Sequence, residues 1–140
     1  MADYDTSQLE TTCRAIAGAF ETQLTWTWDE RFETVLAEVD VSCKADIIRV
    51  IQEHMGDIWD GGNFQQAPDL VKLVIKIFGG LRPGQELFTT QTDRDDILLC
   101  AWWPWGNGQT ISIRFGLLIQ SLSDEQNQAF NQEFKSWFGL

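Results

Sequence analysis

Polar and apolar residues alternate without a break from Thr110 to Leu117, and this period of two indicates a strand with one buried face. The stretch from Ile97 to Trp103 is instead apolar at every position, which is typical of a strand covered on both faces. Between them, Gly106 and Gly108 can adopt the positive φ angles that a tight hairpin needs. The pattern therefore predicts a tryptophan-rich β-hairpin from Ile97 to Ile119 at the centre of a sheet.

Before the hairpin, apolar residues recur every three or four positions, which is the period of amphipathic helices. A first helix is predicted to begin near Ser7, because Ser7 and Glu10 have the spacing of a capping box. Thr27 and Glu30 repeat that spacing, which predicts a short second helix over roughly residues 28 to 39. The alternating tryptophans at positions 26 and 28 leave a strand as the alternative for that stretch.

Two further helices are predicted between Ser42 and the second of two glycine pairs. Ser42 can cap the first of them, whose apolar stripe continues to Trp59 and ends at the glycines at positions 61 and 62. Pro68 suits the first turn of the next helix, which the glycines at positions 79 and 80 end. That helix is apolar on more than one side, so it is predicted to be the central helix of the fold.

The remaining predicted elements are one more strand of a small sheet and a helix that packs on that sheet. Glu86 to Thr90 follows a Pro-Gly turn and is predicted to be the first strand of a three-stranded antiparallel meander that the hairpin completes. A last helix is predicted after Ser123, whose capping-box partner is Gln126. Residues 1–140 are therefore expected to form a single α+β domain. It has a mainly helical N-terminal half, the meander, and a C-terminal helix packed on the sheet, with the helices on one sheet face.

The net charge of the chain disfavours some classes of binding partner and favours others. Asp and Glu total 21 against 10 Lys and Arg, a formal net charge of −11. Such a surface repels nucleic acid and anionic membranes, and no basic cluster reverses that effect locally. The same field favours encounter with a basic protein. The alternative is that the acidity only keeps the protein soluble.

Cysteine usage and the absence of targeting signals predict a cytoplasmic protein. Cys13, Cys43 and Cys100 are odd in number and include no C-x-x-C pair, which favours free thiols in a reducing compartment. The N-terminus lacks the basic start and apolar run of a signal peptide. No apolar stretch approaches the roughly 20 residues that span a bilayer.

The groups that usually carry chemistry do not assemble into a motif. His54 is the only histidine, and its spacing to Asp57 fits an exposed ion pair on a helix better than a catalytic or metal site. The aspartates at positions 93, 95 and 96 lack the order of a calcium loop, and the glycines match no nucleotide-binding fingerprint. Cys43 follows a helix cap, but acidic neighbours oppose its ionisation. The sequence therefore predicts no catalytic residue, no metal site and no cofactor.

One feature of the composition points to a function. The chain has seven tryptophans, and Trp102, Trp103 and Trp105 lie together at the end of the hairpin. Trp102 and Trp103 point to opposite sheet faces, so helices on one face alone would leave one of them available to a partner. Exposed aromatic residues clustered near a turn are typical of binding hot spots. Arg114 lies on the polar side of its strand, which is the side expected to meet water or a partner. We therefore expect the partner-binding residues Trp102, Trp103, Trp105 and Arg114. The alternative is that the tryptophans only fill the core.

These observations favour a non-catalytic cytoplasmic protein that uses the hairpin to bind a protein partner or to self-associate. A more specific version is an acidic inhibitor or immunity protein of a basic partner, for which the charge is the main support. An alternative of another class is a small-molecule binder or minor enzyme. Its pocket would be walled by tryptophans between the helices and the sheet, with His54 or a buried carboxylate at the mouth.

Overall fold

The structure, a computed structural model, describes residues 5–140 and is built on a six-stranded antiparallel sheet. The spatial order of the strands is β1-β2-β6-β5-β4-β3, so the two strands of the hairpin, β5 and β6, occupy the centre. The strands are β1 (Thr27–Asp29), β2 (Thr34–Asp40), β3 (Asp57–Trp59), β4 (Glu86–Thr89), β5 (Asp96–Pro104) and β6 (Thr110–Ile119).

Four helices pack on the sheet, and more of them lie on one face than on the other. Three of them pack on one face, which we call the first face, where they enclose the larger core with Trp102, Ile113 and Phe115. One helix of nine residues, α3, packs on the second face over Leu87, Leu99 and Ala101. The helices are α1 (Ser7–Ala19), α2 (Lys44–His54), α3 (Asp69–Ile77) and α4 (Asp124–Trp137), and short 3-10 turns span Val41–Cys43 and Phe64–Gln66.

The α+β class is confirmed, but the predicted three-stranded meander is wrong because the sheet has six strands. The stretch predicted as a second helix forms β1 and β2 instead. β2 pairs with β6 over six residues, with Val39 opposite Ile111, and its side chains alternate between the two faces. Phe32, Val35, Leu36 and Val39 also fit a helical spacing, so the local pattern did not distinguish the two structures. The antiparallel pairing of β2 with β6 determines that this stretch is a strand and not a helix.

The third predicted helix is present, but its predicted cap and its predicted end are both wrong. Ser42 lies in the 3-10 turn Val41–Cys43 and does not cap α2, whose N-cap residue is Cys43. α2 stops at His54, Met55 takes an extended conformation, and Asp57–Trp59 forms the edge strand β3 against β4. The apolar residues Ile58 and Trp59 therefore belong to the sheet. The N-terminal half is accordingly mixed rather than mainly helical, because it contains three of the six strands.

Two further details separate the prediction from the structure. Placing all helices on one face was wrong, because α3 lies alone on the second face and is not a central helix. Ser7 does not cap α1 with its side chain; its backbone N–H donates to the Asp5 carboxylate at 3.0 Å. Around α4, in contrast, the predicted capping box of Ser123 and Gln126 is confirmed by both of its hydrogen bonds.

Candidate functional site

The second face of the sheet is only half covered. α3 packs over β4 and β5, whereas β1, β2 and most of β6 carry no helix on this side. We call this uncovered part the open face. The central register places Trp103 opposite Ser112 and Ala101 opposite Arg114, so these residues share the second face, while Trp102 and Ile113 share the first.

Three aromatic rings form a row where the open face meets α3. Phe32 from the β1–β2 turn packs against Phe78 at the end of α3, with ring centroids 4.9 Å apart. Phe78 in turn packs against Trp103 on β5, at 5.2 Å. All three rings are half-buried. We call Phe32, Phe78 and Trp103 the aromatic row; it joins three segments that are distant in sequence.

Trp105 continues this surface beyond the end of β5. Its indole N–H donates a 2.8 Å hydrogen bond to the Ser112 hydroxyl, which ties the ring to the second face beside Trp103. The side chain is nevertheless 44% exposed, one of the most exposed large apolar residues in the described part of the chain. Trp105 therefore presents a fixed aromatic surface to solvent.

Arg114 is held in place at the other end of the row. Its guanidinium donates to the Asp29 carboxylate at 3.0 Å, and both side chains are mostly buried. The same guanidinium lies 5.4 Å from the centroid of the Phe32 ring, and Arg31 approaches that ring at 4.9 Å. The ion pair and the cation–π contact together fix the orientation of Arg114.

The structure brings three of the four predicted partner-binding residues to one surface. Trp103, Trp105 and Arg114 lie on or beside the open face, whereas Trp102 is 1% exposed in the larger core. The sequence reasoning missed Phe32 and Phe78. The local pattern identifies neither residue, because Phe78 falls at the end of an apolar helix and Phe32 falls within the range predicted as a helix that does not form.

A polar cavity of about 530 Å³ contains the only histidine. It lies among the start of α1, the end of α2 and the segment between β4 and β5, and its lining includes His54, Arg94 and the buried carboxylate of Asp96. Arg94 donates to Asp96 at 3.2 Å. The small-molecule alternative placed His54 or a buried carboxylate at the mouth of a tryptophan-walled pocket, but this cavity has no tryptophan in its lining.

A second groove, of about 450 Å³, adjoins the aromatic row. It runs between the β1–β2 turn, the end of α3 and the start of α4, and Thr34 and Gly116 lie on the sheet side. Thr34 is 2% exposed, and its hydroxyl oxygen has no hydrogen-bond partner among residues 5–140. We call this the Thr34 groove. Its lining includes Glu30, Arg31, Phe32, Glu33, Thr34, Val74, Ile77, Phe78, Leu99, Gly116, Asp124 and Asn131.

The three thiols have different environments. Burial raises the pKa of Cys13 to about 12, and burial also raises the pKa of Cys100 well above its ordinary value. Both therefore stay protonated at neutral pH, and thiols in that form are poor nucleophiles. Cys43 is exposed at the start of α2.

We expect one of the three thiols to react quickly with a disulfide reagent at pH 8 in the folded protein, and all three to react in denaturant. Burial both protonates Cys13 and Cys100 and blocks access to them. The measurement is the absorbance of the released thiolate, with Cys43→Ser as the control that removes the fast phase. A thiol that still reacts quickly in the Cys43→Ser variant would contradict the described burial of Cys13 or Cys100.

Within residues 5–140, no helix is long and apolar enough to cross a membrane. The same part of the chain holds no group of three or more His, Cys, Asp or Glu side chains placed to bind a metal ion. The chain matches no protein-family model, no curated protein and no solved structure.

Proposed function

We propose that the protein is a non-catalytic interaction module of the cytoplasm that binds a protein partner across the open face. The observation that carries this proposal is the unequal cover of the sheet. Three helices close the first face, and the short α3 leaves the aromatic row and Trp105 at the edge of an uncovered surface. Surfaces of this kind in soluble proteins are typically interaction sites.

The residues on this surface are of the types that dominate protein interfaces. Tryptophan and arginine are the residues most enriched in binding hot spots. Trp105 and Arg114 are held by Ser112 and Asp29, so a partner that contacts them would restrict few additional rotamers. Ile77, 60% exposed at the end of α3, extends the apolar surface beside Phe78.

The charge favours a basic partner over a second copy of the chain. A net charge of −11 makes association of two identical copies electrostatically unfavourable, whereas it accelerates encounter with a positive surface. The proposed partner is therefore a protein with an apolar patch inside a basic rim. An acidic inhibitor of a basic toxin or enzyme is the most specific form of this proposal, and its association rate should fall as salt is added.

We expect the double variant Trp103→Ser, Trp105→Ser to bind the partner at least about tenfold more weakly, because it removes two aromatic anchors. The experiment captures basic proteins from a cell extract with immobilised wild type and identifies one that the double variant does not retain. That protein is then purified, and its Kd and association rate are measured at low and high salt.

The matched control is Leu140→Ser, which removes an apolar side chain of similar exposure, 46%, near Trp137 and Phe138 rather than on the open face. It should bind as the wild type does. A captured protein that the double variant retains, or an association rate that ignores salt, would contradict the proposal. So would a wild type that sediments at twice the 16.0 kDa chain mass and dissociates on the double substitution, because the open face would then bind a second copy.

A second candidate function, small-molecule binding, is favoured by one observation. The Thr34 groove is a recess of about 450 Å³ that is lined by both apolar and polar side chains, a composition common in ligand sites. This groove shares Phe32, Ile77 and Phe78 with the proposed partner surface, but neither Trp103 nor Trp105 lines it.

A further inference from the structure

Three side chains of α4 face the edge of the sheet. Positions 127, 131 and 135 are spaced by four residues, so they lie on one side of the helix. Asn127 bonds to the last residue of β6, and Lys135 Nζ lies 4.4 Å from the centroid of the Trp28 ring on β1. Asn131 lies between these two contacts, and its side chain therefore points into the gap between α4 and the β1–β2 turn.

Asn131 is a nearly buried amide without a partner. The residue is 8% exposed, yet its amide makes no hydrogen bond with any of residues 5–140. Its nitrogen and oxygen still keep contact with solvent, because Thr34 Oγ1 is the only fully buried side-chain N or O atom without a partner in the same range. Buried polar groups in native proteins usually have partners. A ligand can reach both atoms of the Asn131 amide, unlike the Thr34 hydroxyl.

Two recesses adjoin the Asn131 side chain. One is the Thr34 groove, and the other has a volume of about 350 Å³ and extends to Trp28 and Lys135. Both recesses are lined by two carboxylates of the β1–β2 turn and two amides of α4, which belong to Glu30, Glu33, Gln128 and Asn131. The recesses therefore lie side by side between the turn and the helix. We call the two together the α4 trough.

The neighbouring Asn127 shows which kind of ligand an amide on this side of α4 suits. Its Oδ1 accepts a hydrogen bond from the Ile119 N–H at 2.9 Å, and its Nδ2 donates one to the Ile119 carbonyl at 3.0 Å. The N–H and C=O of one extended residue point to the same side, so a single carboxamide can bond to both, as a neighbouring antiparallel strand does. Asn131 offers the same two atoms one helical turn further along, where no described residue bonds to them.

We propose that the α4 trough binds an extended peptide segment of another protein, and that one residue of this segment bonds through its N–H and C=O to the Asn131 amide. Recognition of a peptide main chain in this way gives affinity, and side-chain contacts add specificity. The carboxylates of Glu30 and Glu33, in a chain of net charge −11, favour a segment with Lys or Arg side chains. The proposal goes beyond the open face and does not rest on a partner bound there.

The test is an NMR titration that follows the side-chain NH₂ signals of Asn131. The main probe is the peptide Ac-Val-Lys-Val-Lys-Val dimethylamide, which is basic and whose valines favour an extended conformation. Its analogue with a methyl group on every residue nitrogen keeps the side chains and lacks the main-chain N–H groups. Methyl β-glucoside is the third probe, because sugar hydroxyls also donate and accept hydrogen bonds. We expect only the unmethylated peptide to shift the Asn131 signals.

Variants separate binding from folding, with affinity measured from the backbone amide signal of Gln128 in the trough. Asn131→Leu should bind the peptide at least about tenfold more weakly, because it removes both hydrogen bonds. The same variant should unfold at an equal or higher urea concentration, because it also removes a buried polar group without a partner. Gln52→Leu makes the same change of amide to alkyl group on α2, in the His54 cavity, and should bind as the wild type does.

Three results would overturn the proposal: no shift of the Asn131 signals with the peptide, equal shifts with its methylated analogue, or unchanged peptide affinity in Asn131→Leu. A shift with the glucoside in place of the peptide would also overturn it and would identify a carbohydrate site. Unfolding of Asn131→Leu at a lower urea concentration would show that the amide has a structural partner in solution, which contradicts its role in peptide binding.

Discussion

Replacing Trp102 with alanine is expected to lower the free energy of unfolding by about 3–5 kcal/mol, the usual cost of deleting a large buried aromatic side chain. Trp102 is 1% exposed, lies opposite Ile113 in the central pair of strands, and packs edge-to-face on Phe88 with centroids 6.5 Å apart. A loss of this size is a large part of the stability of an ordinary domain. Urea unfolding followed by far-UV circular dichroism measures it.

The adjacent tryptophan provides a matched control, because Trp103→Ala deletes the same side chain one residue along the same strand. Trp103 is half-buried on the second face and loses mainly its contact with Phe78. We expect a cost of about 1–2 kcal/mol, within the ordinary range for a partly buried site. Equal costs for the two variants would contradict the assignment of Trp102 to the larger core and of Trp103 to a half-buried position on the second face.

The different burial of Trp102 and Trp103 shows which parts of the candidate site the sequence could predict. Alternation along β5 was enough to predict that they point to opposite faces. Which of them meets solvent depends on where the helices lie, and only the position of α3 answers that question. The sequence placed every helix on one face, because amphipathic patterns show which side of a helix is apolar and not which surface it covers.

The strands outside the hairpin were harder to predict for a related reason. The long alternation of β6 is a local signal, and it was identified correctly. β1 and β3 have three residues each and are stabilised by pairing with β2 and β4. Such short strands carry little periodicity of their own, so the non-local partner determines the structure. The aromatic row has the same character, because Phe32 and Phe78 are distant in sequence and make contact only in the folded structure.

Two buried strand threonines are expected to respond oppositely to the same substitution. Thr34 and Thr89 are 2% and 1% exposed. The Thr34 hydroxyl has no partner among residues 5–140, whereas Thr89 accepts a 3.1 Å hydrogen bond from the Trp59 indole N–H. Thr34→Val should raise the free energy of unfolding by about 1–2 kcal/mol, because it removes an uncompensated polar group. Thr89→Val should lower it by a similar amount, because it leaves the indole N–H without its acceptor.

The pair tests whether the Thr34 hydroxyl lacks a hydrogen-bond partner in solution. Valine has nearly the shape of threonine and suits a strand, so both variants preserve the packing and differ only in the fate of the hydroxyl. Chemical unfolding of the protein gives both free energies. If Thr34→Val is destabilised as much as Thr89→Val, the Thr34 hydroxyl has a hydrogen-bond partner in solution. If Thr34→Val is stabilised, the buried hydroxyl costs the folded protein free energy, as its lack of a partner among the described residues predicts.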